Sequence, residues 1–407
     1  MNGLLADFRR FVRQRRMNGS CFIVGGTVRD ILAGIKKPRD IDIAMKGRAV
    51  RAARSFAEQT GATFILLDER FGTARVVKGD EHMDISRMRG ATIEEDLASR
   101  DLTINAMAFP LYSRRLIDPF GGADDLMKGV VRIVSEDNIV QDPLRILRCY
   151  RFSATHGFRI DKASAGVIKR LAPLLKEPAP ERITEELKKI LLAPGAGRVL
   201  DRMFRDGALR AVLPGFRGGN LEAFRALDGQ WARFPFHKKL VRAALEVRFP
   251  LGLAVLAAGA GERAAGRLVL SRKEKAFMER AFARRAGIKK NFIKRAGCIA
   301  LTGMFRDLGD EIYAHLLFSH AFLTAEDESA GERFLEFSRQ VLSHYIEKVR
   351  PKLGKSPITG EDLKKEFSLT PSPLFKKVLD AVELKWLKGE VNNREQAIRA
   401  ARKLIMS

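Results

Sequence analysis

Cysteine is scarce in this chain. Cys21, Cys149 and Cys298 are the only three; they cannot make a disulfide framework and show no Cys-x-x-Cys spacing, so a reducing, cytoplasmic setting is expected. Long apolar runs are absent too. No stretch of about 18 apolar residues occurs, which excludes a transmembrane helix. The N-terminal MNGLLADFRRFVRQRR is basic and amphipathic, but it lacks the uncharged core and small-residue cleavage site of a secretory signal. Acidic residues are in deficit, with 49 Asp plus Glu against 74 Lys plus Arg and a net charge of +25. Such a charge calls for a polyanionic partner: nucleic acid first, an anionic membrane second. It is spread along the chain rather than held in a tail, which favours a long binding surface. What is present is enough to fold: 407 residues, 46% hydrophobic, suggest two or three domains with a sizeable core.

The pattern divides near residue 130. Before it, SCFIV (20–24) reads as a strand, TVRDILAG (27–34) as a short helix with Thr27 as N-cap, and IDIAM (41–45) as a strand. Residues 47–60 place Val50, Ala53 and Ala57 on one helical face, and Gly61 ends that helix. TFILLD, ARVVKG and HMDISRM suggest three more strands. After residue 130, apolar residues recur every three or four positions nearly to the end, so the remainder reads as all-α. RPKLGKSP (350–357) reads as a basic hinge, and 358–407 as a last helical segment.

Chemistry-bearing residues fall in three clusters. In the first, Gly25-Gly26-Thr27-Val28-Arg29-Asp30 is followed by Asp40-Ile41-Asp42. A strand ending in Gly-Gly lets backbone approach a phosphate, and the helix after it offers free N–H groups and a positive dipole end. Arg29 can add a charge-assisted hydrogen bond. Asp40 and Asp42 share one strand face because the side-chain period is two. With Asp84 on an adjacent strand, three carboxylates would make an oxygen-only site suited to Mg²⁺. Gly-Gly or Asp-x-Asp alone is weak; the elements together, in this order, are far more specific.

The second cluster, Ser99-Arg100-Asp101-Leu102-Thr103-Ile104-Asn105, has polar residues that need partners. Arg100 could reach a phosphate, and Asp101 and Asn105 a ribose hydroxyl; a helix start capped by Asp101 is the other reading. In the third, DPLRILRCYRF (142–152), Pro143 suits N1 of a helix with Asp142 as N-cap. Asp142, Arg145 and Arg148 share a face about 120° wide with Arg151 at its edge. A solvated basic face is one reading. The sharper one makes Asp142 and Arg145 a copy of a complementary base edge. A carboxylate accepts from the exocyclic amine of cytosine or adenine, a guanidinium donates to the ring, and guanine or uracil meets repulsion.

Together, FIVGGTVRDILAG, RDIDIAM, EEDLASRDLTINAMAF, LIDPFGGADDL and DPLRILRCYRF resemble the tRNA nucleotidyltransferase/poly(A) polymerase family in its class II, bacterial-type branch. The segment 358–403 looks like the C-terminal segment of bacterial CCA-adding enzymes. The resemblance implies an α+β fold. A polymerase-β-like nucleotidyltransferase head with a mixed sheet (1–135) would precede an all-α nucleotide-binding neck (136–200), body (201–350) and tail (351–407). It implies Asp40, Asp42 and Asp84 as catalytic metal ligands for a two-Mg²⁺ site, with Gly25, Gly26 and Arg29 at the nucleotide phosphates. Arg100, Asp101 and Asn105 would also bind the nucleotide, Asp142 and Arg145 would read the base, and Arg148 and Arg151 would complete the site. ATP and CTP are the implied substrates and tRNA the implied partner, with no membrane and no obligatory protein partner. Two departures stand out: Gln141 where the family usually has Glu, and Thr370-Pro371-Ser372-Pro373 where it usually has Pro-Gly-Pro. No His-Asp dipeptide occurs among the six His, so the phosphohydrolase activity of many relatives is not expected.

The expected activity is template-independent addition of C and/or A to a tRNA 3′ end. A poly(A) polymerase is the neighbouring alternative, and a non-catalytic RNA-binding protein on the same fold is the alternative of another class. The stretch from Gly47 to Val77 looks more like enzymes that add only CC or only A. In SRKEKAFMERAFARRAGIKKNFIKRA (271–296), ten Lys or Arg accompany two Glu; the charges suit RNA phosphates, while Phe277, Phe282 and Phe292 suit a helix core. Trp231 and Trp386 are expected in the core, and His237 as a packed or surface residue.

Overall fold

Period-two alternation builds the N-terminal sheet. In the computed structural model, which describes residues 3–406 except 18, 36, 39, 231–237, 260–264, 295–296, 369 and 371, the chain forms two compact units, Met1–Pro214 and Gly215–Ser407. Trp231, His237 and Pro371 lie outside the described residues.

The first unit opens with α1 (Gly3–Gln14), β1 (Cys21–Val24), α2 (Gly25–Leu32), β2 (Asp40–Met45) and α3 (Ala49–Thr60). The strands β3 (Thr63–Asp68), β4 (Thr73–Lys78) and β5 (Glu81–Arg87) follow, then α4 (Ile93–Ala98) and β6 (Ala108–Pro110). Six strands pair in the order β3-β4-β5-β2-β1-β6. Only β2 and β5 run parallel, with Asp42 opposite Asp84; the other pairs are antiparallel. Ile23, Ile41, Ile43, Ala74, Val76, Met83 and Ile85 point to one face and pack against α1 and α3. There Phe56 meets Phe8 edge-on at 5.1 Å and Phe11 at 5.4 Å. The alternate residues Asp40, Asp42, Arg75, Asp84 and Ser86 therefore face the other way. A one-residue slip of β2 against β5 would exchange the apolar and acidic faces, so the buried isoleucines fix the register of the carboxylates.

Helix ends follow local chemistry, with two differences from expectation. Gly61 closes α3 in the left-handed region (φ 66°), as glycine does at a helix end. Thr27 does not cap α2, because the helix already begins at Gly25. Its hydroxyl accepts from the Asp42 N–H (2.6 Å) and donates to the Asp40 carbonyl (3.2 Å), tying helix to strand. Asp142 does not cap the third cluster's helix: the N-cap of α7 (Leu144–His156) is Pro143, with no side-chain bond. The Asp142 carboxylate instead accepts from Arg182 Nη2 at 2.9 Å.

Before α7 come α5 (Gly122–Met127), β7 (Val130–Val131) and α6 (Glu136–Gln141). After it come β8 (Arg159–Ile160), α8 (Lys162–Leu171), α9 (Pro180–Leu192), α10 (Ala196–Arg205) and α11 (Ala208–Val212). Among the described residues after 129, the two-residue parallel ladder β7–β8 and the bridge of Ile133 to Leu102 are the β-structure. Buried Tyr150 on α7 donates to Asp206 (2.8 Å), which Arg202 also meets at 2.6 Å. This satisfied polar group fixes α7 against the end of α10.

The second unit is helical. Its longest helix, Arg272–Ile293, starts with a Ser271–Glu274 capping box. Phe277 is fully buried, and Phe282 and Phe292 pack against Phe318 and Phe334. Many of its cations are already paired: Lys273 with Glu246, Arg280 with Glu311, Arg284 with Asp307, and Arg285 and Lys289 with Glu326. That leaves a shorter basic ridge than the sequence suggests. At the C-terminal end, helices Gly360–Phe367, Pro373–Lys388 and Arg394–Met406 share a small core of Ile358, Leu363, Val378, Val382, Val391, Ala397 and Ala401. Trp386 is half-buried, its Nε1 donating to the Lys352 carbonyl and the Lys352 ammonium 4.8 Å from its ring. The basic segment 350–357 is thereby held to the last helices.

Candidate active site

The acidic sheet face and α7 enclose two adjoining cavities, of about 360 and about 340 Å³. Asp42, Asp84, Ser86, Arg100, Asp101 and Arg148 line both. The first also takes in Gly25, Gly26, Arg29, Asn105, Arg151, Phe152 and His156; the second takes in Asp142, Arg145, Phe71, Arg87 and Arg89. Of the thirteen residues singled out from sequence, only Asp40 lines neither; it stands exposed at the start of β2.

At the glycine turn, Gly26 N–H donates to Asp42 Oδ2 at 3.1 Å. Gly25 has φ 62°, and a Cβ there would stand 2.8 Å from Arg100 Nη1 and 3.2 Å from Asp42 Oδ2. Both the backbone angle and the space require glycine. Burial pushes the Asp42 carboxyl above its usual value, and Asp84 adds to this, against the opposing charge of Arg100. Asp84 is clamped by Arg75, whose Nε and Nη2 donate to its two oxygens at 2.7 and 2.8 Å. Among the described residues no three His, Cys, Asp or Glu side chains form a ready cation cage.

The second cluster is a scaffold built around Asp101. Residues Thr103–Asn105 make a single 3₁₀ turn whose N-cap is Leu102 rather than Asp101. Asp101 Oδ1 accepts from the Leu102 N–H (2.8 Å) and from Asn105 Nδ2 (3.0 Å). Its Oδ2 lies 2.7 Å from Arg148 Nε, paired by charge without an aligned hydrogen bond. Burial raises the carboxyl, but Arg148, Asn105 and the Leu102 N–H more than offset it and hold it below the usual range. Asn105 Oδ1 in turn accepts from Arg29 Nη1 at 2.9 Å, and the Arg29 guanidinium sits 5.1 Å from the Phe152 ring. Arg100 is held by Asp96 through two bonds of 3.2 and 3.0 Å. Asn138 Nδ2 donates to the Ala98 and Arg100 carbonyls, both at 2.7 Å.

On α7, Arg145 is buried and donates to the Ser99 carbonyl (2.9 Å), while Arg151 pairs with Glu186 at 2.9 Å. Burial lowers the pKa of both, yet both remain charged at neutral pH. The side chains of Asp142 and Arg145 thus line one cavity, each held from behind by another group, Asp142 by Arg182 and Arg145 by the Ser99 carbonyl. Sequence reasoning missed those supporting groups: Arg75, Asp96, Asn138, Arg182 and Glu186. The first had a faint signal, a charge inside the apolar strand ARVV; Arg182 and Glu186 lie in ERITEEL, one turn apart.

The arrangement is a concave anionic pair rimmed by guanidinium groups, suited to a polyphosphate carrying a cation. The Poly A polymerase head domain matches residues 21–132, the RNA and SrmB-binding site of polymerase A matches 157–218, and tRNA nucleotidyltransferase domain 2 matches 338–401. The chain belongs to the tRNA nucleotidyltransferase/poly(A) polymerase family. Within the family it is similar to the CC-adding tRNA nucleotidyltransferase of Synechocystis sp., with 28% identity over 94% of this chain and 93% of that one. It is 38% identical to the A-adding tRNA nucleotidyltransferase of Deinococcus radiodurans over 48% of this chain and 46% of that one. Among solved structures, a CCA-adding enzyme in complex with ATP superposes with a TM-score of 0.78 at 25% identity, over 99% of this chain and 95% of that one. The Thermotoga maritima CCA-adding enzyme complexed with tRNA has the same fold, with a TM-score of 0.74. Among the described residues no helix is long and apolar enough to cross a membrane.

Proposed function

We propose that the protein is a template-independent tRNA nucleotidyltransferase. It adds C and/or A from CTP and ATP to the tRNA 3′ end and releases pyrophosphate. The observation that carries this is the register of β2 and β5. It sets Asp42 opposite Asp84 beside the Gly25-Gly26 backbone and within one cavity wall of Arg29, Arg100 and Arg148. The RNA 3′-hydroxyl oxygen bonds the α-phosphorus, the α–β anhydride bond breaks, and pyrophosphate leaves.

Asp40, Asp42 and Asp84 fit Mg²⁺ by their chemistry. They are all-oxygen donors, and Asp42 is raised in pKa by burial beside a second carboxylate, the strain a hard divalent cation relieves. Bound there, the ion would make the RNA hydroxyl more acidic and offset phosphate charge. This chain's own groups do the rest. Gly25 and Gly26 admit the triphosphate, and Arg29, Arg100, Arg148 and Arg151 balance its charge. Asp142 and Arg145 select the base edge.

The test is incubation with tRNA ending before A, CA or CCA and each nucleoside triphosphate singly, with Asp42→Ala alongside. CTP or ATP should extend the matching tRNA, and the variant should lose this while retaining tRNA affinity. Activity within tenfold of wild type in Asp42→Ala would refute the site. Repeated addition of A from ATP to RNAs unrelated to tRNA would make it a poly(A) polymerase.

A further inference from the structure

The basic N-terminal helix has no role in the site described above. Ile23, Ile41, Ile43 and Ile85 pack against α1 on one face of the sheet, while Asp42 and Asp84 face the other. Around the helix, Leu4, Leu5, Phe8, Phe11 and Val12 are buried. At about 100° per residue, Arg9, Arg10 and Arg13 fall together on the neighbouring arc. Arg15 and Arg16 continue past the helix end, and Arg114 and Arg115 approach from the loop after β6. An open groove of about 540 Å³ runs between these elements, lined by Arg9, Arg10, Arg13, Tyr112, Ser113 and Arg114 among others.

Arg10, Arg13, Arg114 and Arg115 are exposed and have no carboxylate at ion-pair distance among the described residues. The nearby Asp7 is taken by Lys78 at 2.9 Å. Burial, with the charge of Arg114 adding, holds the Arg9 guanidinium below its usual value. The C-terminal dipole of α1, equivalent to roughly half a charge, would be satisfied by a single cation. Seven arginines gather here, and four of them, Arg9, Arg10, Arg13 and Arg114, line the groove. All seven are Arg rather than Lys, the type that bonds phosphate with a planar fork. Tyr112 adds an exposed ring, oriented by its hydroxyl bond to the Arg9 carbonyl and by Arg13, 5.4 Å from its centroid.

We propose that this groove is a second RNA-binding surface, which grips backbone phosphates of an RNA segment that does not enter the catalytic cavity. The face it occupies excludes the reacting 3′ end, so the phosphates held here lie elsewhere on the substrate. Tyr112 offers a stacking platform for an unpaired base beside them. Four of the lining residues are arginines and none is acidic, which favours a polyanion over an acyl chain or an apolar protein face.

The proposal rests on the reading that RNA is the substrate, and the experiment separates the two. Full-length wild type and Arg10→Ala/Arg13→Ala/Arg114→Ala are compared for tRNA binding across a salt series. Losing three phosphate contacts should reduce the slope of log K against log salt by about 2 to 3, with ATP affinity in the absence of RNA unchanged. A slope within about 0.5 of wild type, in a protein that still extends tRNA, would overturn the groove and leave the enzyme reading intact. Arg114→Glu alone provides a second variant, should the triple change disturb folding, and should weaken tRNA binding more at low salt than at high. Binding of wild type to phosphatidylglycerol vesicles that the triple variant loses, with the tRNA slope unchanged, would assign the groove to a membrane surface and overturn the proposal.

Discussion

Asp101→Asn asks whether the second cluster holds the site together or only meets the substrate. The substitution keeps an acceptor for the Leu102 N–H and for Asn105. It places an amide where Oδ2 stood 2.7 Å from Arg148 Nε. Two charges centred about 4 Å apart interact by about 4 kcal/mol at an effective dielectric constant of 20. The Arg148 side chain is 40% exposed, so solvent screening reduces the expected loss to about 2 kcal/mol. For a unit of this size each kcal/mol moves the midpoint by about 2–4 °C, so Tm should fall by about 4–8 °C at pH 7. The pH dependence has a definite sign. Asp101 is held below its usual value in the folded state. Its contribution is therefore complete above the unfolded pKa of about 3.9 and is lost as pH falls through the lower folded value. Calorimetry at pH 7 and below pH 4 should thus show the gap between wild type and variant closing on acidification. Rates with ATP and 2′-deoxyATP supply the second readout. A variant with unchanged Tm but a weaker preference for the ribonucleotide would put Asp101 on the substrate alone and refute the scaffold argument.

Three further outcomes follow from the geometry. Arg182→Ala removes the partner of Asp142 from a pair whose arginine is 54% exposed. Stability should change by about 1 kcal/mol or less, while discrimination against UTP and GTP should fall. Single-nucleotide incorporation reads this, and an equal loss for all four nucleotides would make the pair a packing contact. Gly25→Ala forces a side chain into the left-handed region against Arg100 and Asp42. Nucleotide addition should drop by at least tenfold, with strain of about 1–2 kcal/mol visible in thermal unfolding; near-normal rates would show that the turn tolerates a Cβ. Deleting 358–407 removes a self-contained apolar cluster. Extension of tRNA should suffer far more than extension of short single-stranded RNA, and equal loss on both would favour a poly(A) polymerase.

The sequence exposed the strands and the carboxylates because both depend on period. Ile41 and Ile43 alternate with Asp40 and Asp42, and Met83 and Ile85 flank Asp84, so the acidic residues had to emerge on one face once the strands were recognised. That β2 and β5 are neighbours is not local information; it follows from α3, β3 and β4 returning the chain to the same sheet. The misreadings have a common cause. Thr27 and Asp142 carry good capping side chains, and propensity assigned them to the nearest helix end. Each is instead engaged by a group distant in sequence or on another element: Thr27 by the backbone of β2, Asp142 by Arg182 forty residues later. The groups that position the arginines were invisible for the same reason. Nothing local marks Asn138 as a partner of the Arg100 carbonyl, or Arg75 as the clamp on Asp84.

The Thr27 hydroxyl, bonded at once to both peptide groups of the acidic strand, has a consequence for how such an enzyme can diversify. It ties the Gly25-Gly26 turn to the strand that bears Asp40 and Asp42, so the spacing of that turn from those two carboxylates is fixed locally. The groups that would choose the base belong to another piece, α7, fastened to the first by replaceable side-chain contacts such as Arg148 with Asp101 and Arg145 with the Ser99 carbonyl. On the function proposed above, substitutions at Asp142 and Arg145, which line only the second cavity, would retune which nucleotide is accepted, whereas Arg148 and Arg151 on the same helix as Arg145 line the cavity beside the glycine turn.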